Sequence, residues 1–137
     1  MQKVELVLPI PPSVNACYVN CRTFGRRGRM LTEVAKNWKL QTGYTAKAAA
    51  RAVGWKLMPI TEKIVLEIYA YWPDRRKHDM NNLHRLLCDA LEGVLYENDS
   101  AVLCRDMDYS VDGKHPRIKV IALLKADADA DADAKEE

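Results

Sequence analysis

Polar side chains suited to metal and phosphate chemistry are concentrated between residues 74 and 102. Asp79 and Asn81 stand at the start of a predicted helix. Asp89 lies near the end of that helix, and Asp99 follows it in the next turn. Carboxylates bind divalent cations, and a bound cation near a phosphate assists its hydrolysis. The spacing therefore suggests a divalent metal site that acts on phosphate.

Two basic segments are suited to holding phosphates. One directly precedes the predicted helix and the other follows the first predicted strand; their cations are Arg75, Arg76, Lys77 and His78 in the former and Arg22, Arg26, Arg27 and Arg29 in the latter. Arginine-rich loops suit contacts with phosphates. The alternative for residues 22–29 is a mobile, solvated loop. His78 is expected to be one of these loop contacts rather than a base.

The charge distribution also favours a polyanionic partner. The 137 residues carry a formal net charge of +2, but residues 126–137 hold six acidic residues and one lysine. Residues 1–125 therefore hold 20 basic and 13 acidic residues, a net charge of +7. Such a body attracts nucleic acid, and a merely solvated basic surface is the alternative.

Neither the apolar runs nor the N-terminus indicates a membrane protein. No run approaches the roughly 18 apolar residues of a membrane span, and residues 1–12 lack the features of a signal peptide. We therefore expect a cytosolic protein with no membrane partner. The cysteines form no C-x-x-C pair and no zinc pattern, so free thiols are expected; they are Cys17, Cys21, Cys88 and Cys104.

Hydrophobic periodicity predicts one α+β domain over residues 1–125, with a mixed sheet of about four strands and two main helices. The predicted order is β-α-β-α-β-β, with strands at 3–8, 62–72, 101–111 and 117–125 and helices at about 32–53 and 81–92. The strand at 62–72 is apolar on both faces and is expected to be central. The last two strands are expected to form an antiparallel pair. The Ala-Asp segment at 126–137 has no periodic apolar face and is expected to be disordered.

The two predicted helices differ in how clearly their faces are marked. The first begins at the N-cap Thr32, contains Gly43 as a candidate break, and has a predicted inner stripe of Val34, Trp38, Gln41, Thr45, Ala49 and Ala52. The second has Asp79 or Asn81 as N-cap and ends at Gly93, and its predicted core stripe is Leu83, Leu86, Leu87, Ala90 and Leu91. Its polar row is Asn82, Arg85 and Asp89. Trp38, Trp55 and Trp72 are expected to be core residues.

The stretch KHDMNNLHRLLCDALEGVLYENDSAV at 77–102 resembles the RusA family of Holliday junction resolvases. The family pattern is Asp-x-Asp-Asn-x-x-Lys, then Asp-Ala-Leu, then a glycine-containing turn and Asp-Asp. The first strand followed by PPSVN is similar to the family's opening as well. On this pattern Asp79 matches the first aspartate, Asp89 matches the aspartate of Asp-Ala-Leu, and Asn98 and Asp99 fall on the Asp-Asp pair.

The resemblance implies a small, homodimeric, Mg²⁺-dependent endonuclease, of a kind often carried by phages or prophages, that nicks two opposed strands of a four-way DNA junction. Mn²⁺ is an expected substitute. Asp79 and Asp99 are expected to ligate the metal, and Asn81 would add a neutral oxygen or hold a metal-bound water. Arg85 would stabilise the scissile phosphate. Asp89 would be a further ligand or would hold Arg85 in place.

The chain departs from the family pattern at Asn81, Arg85 and Asn98. Asn81 offers an oxygen without negative charge, which Asp89 or Glu97 would have to compensate. Arg85 keeps the positive charge of the lysine but does not donate a proton as lysine can. These departures leave open a weakened enzyme, or a branched-DNA binder without catalysis. An RNA-binding module is a third alternative, supported only by the basic charge.

Overall fold

The computed structural model describes the backbone of residues 2–13, 18–23 and 26–136, and the side chains of 2–13 and 30–134. Cys17 and Gly25 lie outside the described residues. Within this part of the chain the elements are β1 Lys3–Leu8, β2 Tyr18–Thr23, β3 Arg26–Leu31, α1 Glu33–Val53, β4 Ile64–Trp72, a 3-10 turn Met80–Leu83, α2 His84–Leu91, a 3-10 turn Asp99–Ala101, β5 Val102–Val111, β6 Arg117–Leu124 and α3 Lys125–Glu136. None of the described helices is long and apolar enough to cross a membrane.

A four-stranded mixed sheet in the order β1-β6-β4-β5 forms the centre of the fold. Strand β4 lies between β6 and β5, as predicted, because both of its faces are apolar: Ile64, Leu66 and Ile68 are fully buried on one face, and Val65 is fully buried on the other. The core on the first face is shared with α1 and α2. The predicted α+β class with a four-stranded mixed sheet is therefore confirmed.

The predicted pairing of the last two strands is wrong. Strand β5 pairs with β4 in parallel, whereas β6 pairs antiparallel with both β4 and β1. The connection from β4 to β5 contains α2, and a crossover of that length permits a parallel neighbour. The short turn after β5 does not dictate a hairpin, because β4 occupies the position between β5 and β6.

The arginine-rich segment is part of a separate two-stranded sheet rather than the predicted loop. Strands β2 and β3 pair antiparallel, with Arg22 opposite Arg27 and Thr23 opposite Arg26. Backbone pairing between the two strands holds residues 18–23 and 26–31 extended. The side chains of Arg22, Arg26, Arg27 and Arg29 lie outside the described residues, so their role in DNA binding stays a prediction.

Helix α1 runs unbroken through Gly43, contrary to the candidate break. Its buried residues are Ala35, Trp38, Thr42, Ala46 and Ala50. Of the predicted stripe, Trp38 is buried and Ala49 is half-buried against the core, whereas the other four residues are exposed. A Cβ placed on Gly43 would lie 3.7 Å from the carbonyl oxygen of Ala90, which shows how closely α1 and α2 pack. Small residues on this face allow that approach. The predicted Thr32 cap is confirmed by the bond that its side chain accepts from the Ala35 N–H.

The Ala-Asp segment forms helix α3, whereas the sequence led us to expect disorder. Ala128 is 4% exposed and packs with Val65 and Leu123 on the second face of the sheet. Asp129 pairs with Arg105 and Lys125. Alanine has the highest intrinsic helix propensity, and Asp127 in the first turn complements the helix dipole. No periodic apolar pattern in the sequence predicts this contact. Because Ala128 packs on the sheet, the helix is part of the fold.

Candidate functional site

The motif helix consists of the 3-10 turn at residues 80–83 followed directly by α2. The Asp79 side chain caps it by accepting a hydrogen bond of 2.9 Å from the Asn81 N–H. The predicted core stripe is buried, with Leu87 and Leu91 fully inaccessible to solvent. Asn82 and Arg85 are exposed on the opposite face. The apolar stripe therefore fixes the rotation of the helix and turns its polar row outward.

The turn after α2 returns the chain towards the end of the helix. Gly93 adopts a φ of 81°, which favours glycine, and its N–H donates to the Tyr96 carbonyl at 2.8 Å. The Asn98 side chain then accepts a bond of 2.9 Å from the Ser100 N–H and caps the short turn that begins at Asp99. Asn98, a departure from the family pattern, thus has a structural role as a cap.

Three carboxylates meet where this turn approaches the helix. One oxygen from each of Asp89, Glu92 and Asp99 lies within 4.8 Å of the other two. Asp89 is half-buried, and the other two are exposed. We call these residues the acidic cluster. An all-oxygen donor set open to water fits Mg²⁺ or Mn²⁺, which retain bound waters, better than it fits zinc.

Glu92 was not singled out from the sequence. It follows Asp89 by three positions, and residues at that spacing lie on one face at the end of a helix. The three-residue spacing from Asp89 was the feature of the sequence that could have identified Glu92. The family pattern contains other acidic positions and not this one. The structure therefore adds Glu92 to Asp89 and Asp99, and it places Glu97 outside the acidic cluster.

Asp79 lies at the opposite end of the motif helix from Asp89. Ten helical residues rise about 15 Å, which is too far for both carboxylates to hold one ion. Among the described residues Asp79 belongs to no group of three potential ligands within 4.8 Å. Asp79 lines a separate hollow with Asn82, Lys77 and His78. The motif thus presents oxygen ligands at both ends of the helix, with Asp79 and Asn81 at one end and the acidic cluster at the other.

A groove of about 920 Å³ runs between α1 and the end of α2. Its α1 wall carries Lys36, Lys39 and Lys47, and its opposite wall carries Asp89, Glu92 and Glu97. Lys36 pairs with Glu33 at 3.6 Å. We call these three lysines the lysine wall, and no role for them follows from the sequence alone. Packing of α1 against α2 places them across from the acidic cluster.

The basic loop before the motif helix is organised by Asp74. Its Oδ1 accepts a bond of 3.0 Å from the Arg76 N–H and lies 2.9 Å from Nε2 of His78. The hydrogen bond with His78, and next the one from the Arg76 backbone, hold the pKa of Asp74 below its ordinary value. The His78 ring also stacks on buried Trp72, with ring centroids 4.4 Å apart.

This anchoring leaves the predicted phosphate contacts of the loop facing solvent. Arg75, Arg76 and Lys77 are exposed, whereas His78 is half-buried between Trp72 and Asp74. The prediction that the tryptophans belong to the core is confirmed, since Trp38, Trp55 and Trp72 are each at most 8% exposed. The loop is therefore a solvent-facing cationic segment fixed at its base.

Comparison with known proteins identifies one family. Residues 9–121 of this chain match the sequence model of the family described as endodeoxyribonuclease RusA. The match includes the motif helix, the acidic cluster, the groove and the basic loop. No curated protein matches the chain.

Proposed function

Because the chain belongs to the RusA endodeoxyribonuclease family, we propose that it is a metal-dependent nuclease that resolves four-way DNA junctions by paired nicks. Family membership supports nuclease chemistry on DNA. The observation that carries the proposal is the acidic cluster, which faces a lysine wall across an open groove. Carboxylates that bind cations, set beside cations that bind phosphates, are what phosphodiester hydrolysis requires.

The acidic cluster is the proposed metal centre. Asp89, Glu92 and Asp99 would hold Mg²⁺, with Mn²⁺ as a substitute. Such an ion supplies an activated water and neutralises charge on the phosphate. Asp79 and Asn81, at the other end of the helix, remain the motif's predicted ligands. Substitutions in the acidic cluster distinguish a metal site there from one at Asp79.

The lysine wall and the basic loop are the proposed DNA contacts. Lys39 and Lys47 have no ion pair among the described residues, so their charges are available to phosphates. The acidic wall of the same groove repels DNA unless its charge is offset, which makes DNA binding there dependent on a divalent cation. Arg85 is exposed on the polar face of the motif helix, where its planar guanidinium is suited to gripping a phosphate with two hydrogen bonds.

A homodimer is proposed because a four-way junction presents two equivalent strands. A dimer with two-fold symmetry would place one active site on each of these two DNA strands. Strand β5 is an edge strand with exposed apolar side chains, among them Tyr109 at 68% and Val111 at 49%. On its outer side β5 pairs with no other strand among the described residues, and backbone groups there can bind a second copy. Sedimentation should give a dimer, and Tyr109→Lys should weaken it, whereas Val7→Lys on the other edge strand should not; equal behaviour of both variants would count against β5.

The function is tested by cleavage of an end-labelled four-way junction. With Mg²⁺ we expect paired, symmetric nicks, and with EDTA we expect none. Linear duplex and RNA of matched length serve as competitors, and both should compete weakly. Cleavage of duplex and junction at equal rates would support a general nuclease and contradict junction resolution.

The second candidate is a branched-DNA binder without catalysis. Asn81 and Arg85 favour it, because they remove a negative charge and a proton donor from the family pattern. Tight junction binding without cutting, even in excess Mn²⁺, would establish this alternative. Asn81→Asp would then show whether the missing charge is the reason, since restoring an aspartate should restore cutting.

A further inference from the structure

Two thiols meet between the motif helix and the edge strand. Sγ of Cys88 in α2 lies 3.3 Å from Sγ of Cys104 in β5. The two residues are 16 positions apart in the chain, so no short cysteine motif predicts that they meet. Both side chains are half-buried, and both cysteines are free. The pair is therefore assembled by tertiary structure.

Both sulfur atoms are carried by well-fixed backbone. Cys104 lies opposite Leu66 in the parallel pairing of β5 with β4. The Cys88 carbonyl accepts a hydrogen bond of 2.7 Å from the hydroxyl of Tyr96, which is buried. Burial raises the pKa of Tyr96, so its hydroxyl keeps the proton that it donates. A disulfide bond is about 2.05 Å long, so the sulfur atoms need to approach by only a little over 1 Å.

The two sulfur atoms share a hydrogen bond beside His84. That hydrogen bond lowers the pKa of Cys104, burial opposes the shift, and the nearby His84 adds to it. His84 precedes Cys88 by one helical turn and is held by Asp106, with 2.7 Å between Nε2 and Oδ1. The thiolate is the reactive form in exchange with disulfides. Either sulfur can attack first, because the other lies close enough to displace the mixed disulfide that results.

We propose that Cys88 and Cys104 form a redox-sensitive site that closes to an intramolecular disulfide when it reacts with a low-molecular-weight disulfide such as oxidised glutathione. One cysteine of the pair, as its thiolate, attacks one sulfur of the small disulfide, forms a mixed disulfide and releases one small thiolate. The other cysteine then loses its proton to solvent and attacks the sulfur of the first cysteine, which releases the second small thiolate. The protein loses two electrons and two protons, and the small disulfide is reduced to two thiols.

The new bond would close the segment from residue 88 to residue 104. This segment contains all three residues of the acidic cluster, and it begins three residues after Arg85. It would tie the helix that carries Asp89 to the sheet. A cross-link restricts the unfolded chain, so the thermal midpoint of the oxidised protein should rise by several degrees. This consequence does not depend on the proposed nuclease activity.

The test is peptide mapping of the full chain after titration with oxidised glutathione. No lysine or arginine lies between Arg85 and Arg105, so trypsin releases Cys88 and Cys104 in one peptide, 86–105, without Cys17 or Cys21. We expect that peptide to become lighter by two hydrogen atoms, to resist alkylation, and to recover both thiols with dithiothreitol. The change should persist in a Cys17→Ser/Cys21→Ser variant.

A Cys88→Ser variant separates the two steps of the exchange. It should accumulate glutathione on Cys104, because the second thiol that would displace it is missing. Peptide 86–105 alkylated at both cysteines, after oxidation has modified Cys17 or Cys21, would overturn the proposal. A stable glutathione adduct on Cys104 in the chain without substitutions would overturn the proposal as well. The wild-type experiment requires no substitution, so a folding defect in the variant cannot decide the result.

Discussion

At the scale of single residues, the structure changes which carboxylates lie close enough together to bind one metal ion. Asp99 keeps its predicted place among the metal-binding candidates, but its partners are Asp89 and Glu92. Asp79 caps the start of the motif helix and lies at the far end from Asp89. Glu92 supplies a carboxylate that the family pattern does not contain, in a chain that lacks one at Asn81. Glu92 is therefore the position that distinguishes the two metal assignments.

Glu92→Gln should lower junction cleavage by more than about 100-fold at limiting Mg²⁺, since loss of even an outer-shell partner costs roughly 10–100-fold. Asp99→Asn should do the same, and both variants should bind the junction in Ca²⁺ as the parent does. Cleavage rates are measured across a Mg²⁺ titration. Glu97→Gln is the matched control, because Glu97 is exposed on the same wall of the groove and lies outside the acidic cluster. Equal rates for Glu92→Gln and the control would return the metal to Asp79.

At the scale of elements, α3 is the largest difference from the sequence expectation. It covers the face of the sheet opposite α1 and α2, where Val65 and Leu123 would otherwise face water. Charges hold it as well, because Asp129 pairs with Arg105 and Asp131 lies 3.9 Å from Lys3. The acidic residues of α3 thus compensate part of the basic body.

Ala128→Glu should destabilise the protein by about 2 kcal/mol, because it places a carboxylate in the contact with Val65 and Leu123. Urea unfolding followed by circular dichroism measures the change. Ala130→Glu is the control, since Ala130 is exposed on the same helix. A similar loss in both variants would mean that α3 contributes through helix propensity alone and not through its docking on the sheet.

Acid should weaken the attachment of α3. Hydrogen bonds from Lys125, and then from Arg105, hold the pKa of Asp129 below its ordinary value of 3.8. A group whose pKa is lower when folded stabilises the protein fully above its unfolded pKa and loses that contribution as pH falls through the folded pKa. The stability difference between the parent and Asp129→Asn should therefore be constant at neutral pH, begin to shrink near pH 3.8, and vanish only below the lower pKa of the folded state. Thermal midpoints across pH measure it; a difference that persists in strong acid would contradict the ion pairs.

At the scale of the whole molecule, charge is divided between opposite faces of the sheet. The lysine wall lies on α1, which packs with α2 on one face, and the Asp-rich helix α3 lies against the other. The formal net charge of +2 conceals this division. A polyanion is therefore attracted to the lysine wall, provided that a divalent cation offsets the charge of the acidic cluster.

A Lys39→Ala/Lys47→Ala variant should bind the junction with a weaker dependence on salt. The slope of log K against log salt is negative, and each lost phosphate contact makes it shallower by about 0.9. Affinities at several salt concentrations, with Ca²⁺ present to prevent cutting, give the slope. Lys56→Ala/Lys63→Ala is the control of equal charge, because neither residue lines the groove. An unchanged slope in the first variant would exclude α1 from the DNA surface.

Local patterns in the sequence were sufficient to predict much of this protein. Alternation over residues 64–72 identified the central strand, and the leucine spacing at 83–91 identified the buried face of the motif helix, because burial of one face imposes these periods. Capping by Thr32 and Asp79 followed from side chains that bond nearby N–H groups. The motif residues at 77–102 were likewise sufficient to indicate the family.

Tertiary structure alone decided what brings distant residues together. The parallel pairing of β5 with β4, the docking of α3, the lysine wall opposite Glu92, and the contact between Cys88 and Cys104 all join segments that no local period relates. Each depends on which surfaces exclude water together, and such a choice is made by the whole core rather than by neighbouring residues. The sequence by itself therefore determined the elements and the type of chemistry, and the packing of those elements decided which carboxylates share a site.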